Sequence, residues 1–189
     1  MRRSNIASDA GHAHEALTLA EAALRQRPLT SGLRAVALRQ KAAAHALLGD
    51  QQAYRQAVDD GLSCAFQDDA LSLMTGYCTV AYMKMEAGAA AMELQQPRVA
   101  TQLLTDADEG WPDGHERDHA LCLARLAYAQ ACAHDPDQAC STGHRAVEAA
   151  ALAPSARTTR TLRALGGALN RYRTQPDVAD LRQILSEAS

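Results

Sequence analysis

Histidine and cysteine gather around one point of the sequence. Cys132, His134, Cys140 and His144 straddle a single polar break, and Cys140 and His144, four residues apart, share one helix face. Two thiolates and two imidazoles would satisfy a tetrahedral zinc ion. Against that reading, Cys132-x-His134 is unlike the usual zinc spacings, and cysteine in an alanine-rich helix is commonly a small buried hydrophobe. The four residues are therefore candidates only, and no metal or other cofactor is assigned. His115 and His119 form a second pair four residues apart, expected to be solvated near a helix start. The sequence has no glycine-rich phosphate loop, no serine elbow and no carboxylate pair in a recognisable frame, so no catalytic residue is assigned and the chain is not expected to be an enzyme.

The elements that position these residues follow from a pattern written twice between Ala81 and Ala146. The first copy has Gly88 in one helix, a break at Gln95-Gln96-Pro97, then Ala100, Leu104 and Ala107. The second has Ala127, a break at Asp135-Pro136, then Ala139, Gly143 and Ala146. Positions 88 and 127, and 100 and 139, are offset by the same 39 residues, the mark of a stacked array.

Composition agrees. Hydrophobic residues make up 47% of the 189, but aromatics only 4%, and alanine and leucine dominate over the β-branched types that build strands. The expectation is an all-α chain. A net charge of −3 argues against direct nucleic-acid binding by the whole surface. No apolar run of about 18 residues and no signal-peptide core follow Met1, so a soluble cytoplasmic protein without membrane association is expected. Five cysteines, an odd number lying mostly in helical patterns, do not suggest a disulfide framework.

Residues 1–8 show no apolar period and are expected to be frayed or disordered; repeats should occupy 9–152 and capping helices 153–189. The first helix is placed at Ala10–Gln26, so the array would be entered at the second helix of a hairpin. Further helices are expected from Ser31 to Leu48, Gln51 to Phe66, Gly76 to Leu94, Pro97 to Glu109, Glu116 to His134, Pro136 to Leu152, Ala156 to Arg173 and Pro176 to Glu187. A polar connection, with room for a short helical turn at Ala70–Met74, fills Gln67–Thr75. The Gly49-Asp50 break reads as one residue shorter than the other two. Trp111, the single tryptophan, is expected to cover the end of its hairpin, and Gly166-Gly167 to mark close packing or a kink. Arg157, Arg160 and Arg163 form a basic stripe read as a solvated face.

In stacked hairpins the first helix of each pair lines a concave face. By register that face should carry Tyr82, Met85, Met92 and Glu93, then Leu121, Arg125, Tyr128 and Cys132, with Arg39 and Leu47 from the divergent hairpin. Arginine can grip carboxylates or carbonyls and methionine adapts in shape, which suits an extended peptide or a partner's helix. Alternatively, the tyrosines and methionines simply fill space between hairpins.

Gly88 or Ala127 on the first helix, with Ala100/Leu104/Ala107 or Ala139/Gly143/Ala146 on the second, resembles the tetratricopeptide repeat family. The likeness covers roughly residues 9–152, and its period of 39 exceeds the family's usual length of about 34. Leu48-Gly49-Asp50, Gln96-Pro97-Arg98-Val99-Ala100, Arg117-Asp118, Asp135-Pro136-Asp137-Gln138-Ala139 and Ser155-Ala156-Arg157 look like the C-terminal repeat domain of helix-turn-helix transcriptional regulators of high-GC Gram-positive bacteria. The resemblance implies a right-handed α-solenoid with a C-terminal helical cap, acting as a regulatory module without its own DNA-binding domain. Such a module would sense a peptide or small ligand, or dock a partner protein, through its groove. A self-associating scaffold, with a homodimer possible, is the alternative.

Overall fold

A computed structural model describes residues 2–66 and 78–187 of the chain. They form α1 (Arg2–Asp9), α2 (Ala13–Leu24), α3 (Ser31–Leu47), α4 (Gln51–Phe66), α5 (Val80–Glu93), α6 (Pro97–Glu109), α7 (Glu116–Cys132), α8 (Pro136–Leu152), α9 (Ala156–Ala168) and α10 (Pro176–Glu187), with a 3₁₀ turn at Leu169–Tyr172. No strand occurs among the described residues, so the all-α expectation holds. The connection expected at Gln67–Thr75, its helical turn and the expected start of α5 at Gly76 lie outside the described residues. No helix among the described residues is long and apolar enough to cross a membrane.

Local chemistry sets the helix starts. The Thr30 hydroxyl oxygen accepts the Leu33 N–H at 3.3 Å, Asp50 accepts that of Ala53 at 3.0 Å, Thr79 that of Tyr82 at 3.1 Å and Asp135 that of Gln138 at 3.3 Å. Each satisfies a backbone donor that a helix's first turn leaves without a partner. Pro97, Pro136 and Pro176 open their helices where a missing N–H costs nothing.

The helix ends share one design. Gly11, Gly49, Gln95 and His134 all have left-handed backbone, with φ of 76°, 74°, 56° and 68°. After each, the next N–H reaches back five residues: His12 to the Ala7 carbonyl, Asp50 to His45, Gln96 to Ala91 and Asp135 to Gln130, at 2.8 to 3.0 Å. Four helices therefore stop in the same Schellman-type turn, with a new helix beginning two residues later. The turn at Gly49-Asp50 is not shorter than the others. Its left-handed residue is glycine, whereas at 95 and 134 the same role falls to residues that do not announce a turn.

The chain divides into two compact units, Met1–Gln96 and Pro97–Ser189. In the first unit, α3 packs against α1, α2, α4 and α5. The expectation of a frayed start is corrected: α1 seats Ala7 against Ala16 and Ala44, and the buried Ser4 hydroxyl donates to the Ala16 carbonyl at 2.8 Å. Its packing face is built from Ser and Ala, which leaves no apolar period to detect. A helix thus precedes α2 and packs against it. Deeper in this unit the Tyr54 hydroxyl donates to the Ala87 carbonyl at 2.9 Å. Arg39 pairs with Glu86 at 2.8 Å while lying over the Tyr82 ring.

In the second unit α7 is central, packed by α6, α8 and α9. Its Leu123 and Ala127 join Ala139 and Ala146 of α8, Leu162 and Leu165 of α9, and Val178, Leu181 and Leu185 of α10 in one buried cluster. At Gly143 an added Cβ would lie 2.6 Å from Leu181 Cδ2, so this glycine marks close helix approach. The Gly166-Gly167 expectation needs correcting. Nothing lies within 4 Å of a Cβ at Gly167, and at Gly166 the nearest atom is at an ordinary 3.7 Å. Nor does α9 run to Arg173: it stops at Ala168 and tightens into the 3₁₀ turn.

Candidate functional site

The turn joining α7 to α8 opens a polar cleft of about 530 Å³ within the second unit. From α6 it receives Arg98, Thr101 and Thr105, which recur at i, i+3 and i+7 along one helix face. Gln130 and Ala133 of α7 line it, with His134 and Asp135 of the turn and Gln138 of α8.

Four groups give the cleft its character. Gln130 is only 7% exposed, and its amide oxygen accepts no hydrogen bond. An unmet buried acceptor costs about 1–3 kcal/mol. Arg98 is exposed and, among the described residues, has no ion-pair partner. Asp135 spends one oxygen on the start of α8. His134 holds the left-handed position with its Nδ1 2.9 Å from the Tyr172 hydroxyl and 3.0 Å from Arg171 Nη1. Arginine can only donate, so Nδ1 carries a lone pair and the neutral ring's proton sits on Nε2. His134 thus combines the left-handed helix-ending position with a ring fixed by two side chains from the 3₁₀ turn.

A second polar cluster lies elsewhere in this unit. Asp108 Oδ1 is 2.7 Å from His119 Nε2, and Arg145 Nη2 reaches both Asp108 oxygens, at 2.9 and 3.2 Å. The His119 hydrogen bond, aided by Arg145, holds the Asp108 carboxyl below the usual carboxylate range despite burial. Trp111 stacks on His119, with ring centroids 5.3 Å apart, and its indole N–H donates to the His115 carbonyl. Trp111 thus covers the start of α7, while His119 is half-buried and bonded instead of solvated. The nearby Cys122 is fully buried, and desolvation pushes its thiol up to about 12, so Cys122 is not an activated nucleophile.

The groove residues expected from register fall in both units. In the first, Arg39 is committed to Glu86, Tyr82 is 7% exposed and Met85 is 0% exposed, while Met92 is half-buried and Glu93 exposed. Arg125 and Tyr128 of the second unit are half-buried on α7. Tyr82 and Met85 are thus packing residues. In a helix made almost entirely of small and apolar side chains, register alone cannot tell the packed faces from an open one.

The metal candidates are not brought together. Cys140 is buried, with its thiol raised by desolvation; His134 is bound to Tyr172 and Arg171; His144 Nε2 faces Asp180 at 3.9 Å; and Cys132 is half-buried. Among the described residues, no three histidine, cysteine or acidic side chains are placed to hold an ion. The basic stripe of α9 is exposed, and Arg157 pairs with Asp118 at 3.4 Å.

Sequence reasoning singled out His134 for metal but missed Arg98, Thr101, Thr105 and Gln130. The available signal was a histidine in the slot immediately before Asp135-Pro136, where a helix must turn left-handed. No protein-family model matches the chain, and neither a curated protein nor a solved structure matches it.

Proposed function

We propose that this chain is a non-catalytic binding module of tetratricopeptide-like hairpins, stacked as a right-handed solenoid and closed by α9 and α10. It senses a peptide or a small ligand in cytoplasmic regulation. Four identical helix-ending turns favour a repeat origin. The observation that carries the functional reading is the α6–α7–α8 cleft, whose lining includes the buried Gln130, its amide oxygen without a hydrogen-bond partner, and His134 in left-handed backbone. The recognition surface is therefore assigned to this cleft in preference to the groove residues expected from register.

A cleft-filling variant tests this. Thr105→Trp should keep the helical circular dichroism of the wild type while closing the pocket. Thermal melting of both proteins against a library of short peptides and polar metabolites should find compounds that raise the wild-type midpoint and leave the variant unmoved. A library in which every hit shifts both proteins equally rejects the cleft as the binding site.

A further inference from the structure

Taking the cleft as the binding site, a reading on which this inference rests, we infer that its ligand is a zwitterion: a free α-amino acid or a dipeptide carrying both an unblocked ammonium and an unblocked carboxylate. The cleft holds one uncommitted charge of each sign. Arg98 has no ion-pair partner among the described residues, and Asp135 retains the oxygen that the α8 start does not use. A purely anionic ligand would face Asp135, and a purely cationic one Arg98. A ligand with both charges meets a favourable partner at each end.

The neutral groups sort the same way. His134 is held as the Nε2–H tautomer by Arg171 and Tyr172, which makes its remaining ring nitrogen a donor suited to a carboxylate. Gln130, also in the lining, carries an amide oxygen without a hydrogen-bond partner, chemistry suited to an ammonium N–H. Donors thus come from Arg98 and His134, acceptors from Gln130 and Asp135. The Thr105 hydroxyl, which makes no hydrogen bond among the described residues, serves either end. A volume of about 530 Å³ admits an amino acid with its side chain or two linked residues.

The test uses the full chain, the free L-amino acids and simple dipeptides as probes, and their N-acetyl and C-amide counterparts, read by thermal melting and calorimetric titration. At least one free zwitterion should raise the melting midpoint, and blocking either end should abolish the shift. Arg98→Gln and Asp135→Asn, conservative changes at exposed positions, should each weaken binding about tenfold. The inference fails if no free zwitterion binds, if blocked compounds bind as well as free ones, or if both variants bind like the wild type. Blocked peptides that bind the wild type but not Thr105→Trp would overturn the zwitterion while leaving the binding module standing.

Discussion

Asp108 Oδ1 lies 2.7 Å from His119 Nε2, and the same carboxylate takes Arg145, so one half-buried side chain of α6 ties down α7 and α8 together. Asp108→Asn should therefore cost about 1–3 kcal/mol, because the donors of His119 and Arg145 lose their charged acceptor. Arg145→Ala, at a more exposed partner, should cost at most about 1 kcal/mol. Urea denaturation of the two variants checks the order. Equal losses would mean that the exposed arm of the cluster matters as much as the shielded one.

The same cluster and His45 set the pH response. His45 is buried, neither ring nitrogen has a hydrogen-bond partner, and desolvation lowers its pKa below 6.5 against the opposing pull of Asp50. Below 6.5 the unfolded chain binds a proton that the folded chain resists, so stability must fall as pH drops from 6.5 toward the folded value. Asp108 acts lower: its depressed pKa gives stability that is present above 3.8 and lost as pH falls through its folded value. Denaturation at a series of pH values should show two separate losses, and His45→Leu should flatten the upper one alone.

Four turns of one design let backbone strain be compared directly. Gln95→Gly should stabilise the chain by about 1 kcal/mol, since a non-glycine residue gives up roughly that much in the left-handed region. His134→Gly should gain less, because it also loses Tyr172 and Arg171. Should His134→Gly stabilise more than Gln95→Gly, those bonds would be shown to contribute nothing.

Glycine's two uses in the second unit separate in the same way. Gly143→Ala should destabilise by about 1 kcal/mol or more, since the methyl meets Leu181 and Leu165 inside the packed cluster. Gly167→Ala has open space and should stabilise by about 0.5–1 kcal/mol. Thermal melting of the pair gives the sign of each.

The helices themselves were legible because their punctuation is chemical: Thr30, Asp50, Asp135, Pro97 and Pro136 act where their side chains or rings dictate. Alanine hid the rest. With Ala on most sides of α5 and α7, periodicity could not say which face was covered, so it left Tyr82 and Met85 open between groove lining and filler; they are buried, as the filler reading has it. The α1 helix escaped notice because its buried positions, Ser4 and Ala7, carry no apolar period. The cleft was hidden because Arg98 of α6 joins Gln130 and His134 only through the packing of α6 against α7, at a sequence separation no local spacing rule spans. His119 likewise found its partner eleven residues upstream, on the preceding helix.

Trp111 leaves the protein with a built-in optical label. As the only indole, stacked on His119 in the second compact unit, it makes tryptophan emission a signal from residues 97–189 alone, while far-ultraviolet dichroism averages the helices of both units. Unfolding curves recorded by the two methods will superimpose only if the units melt as one cooperative body. A single denaturation experiment on the unmodified chain can therefore count its folding units.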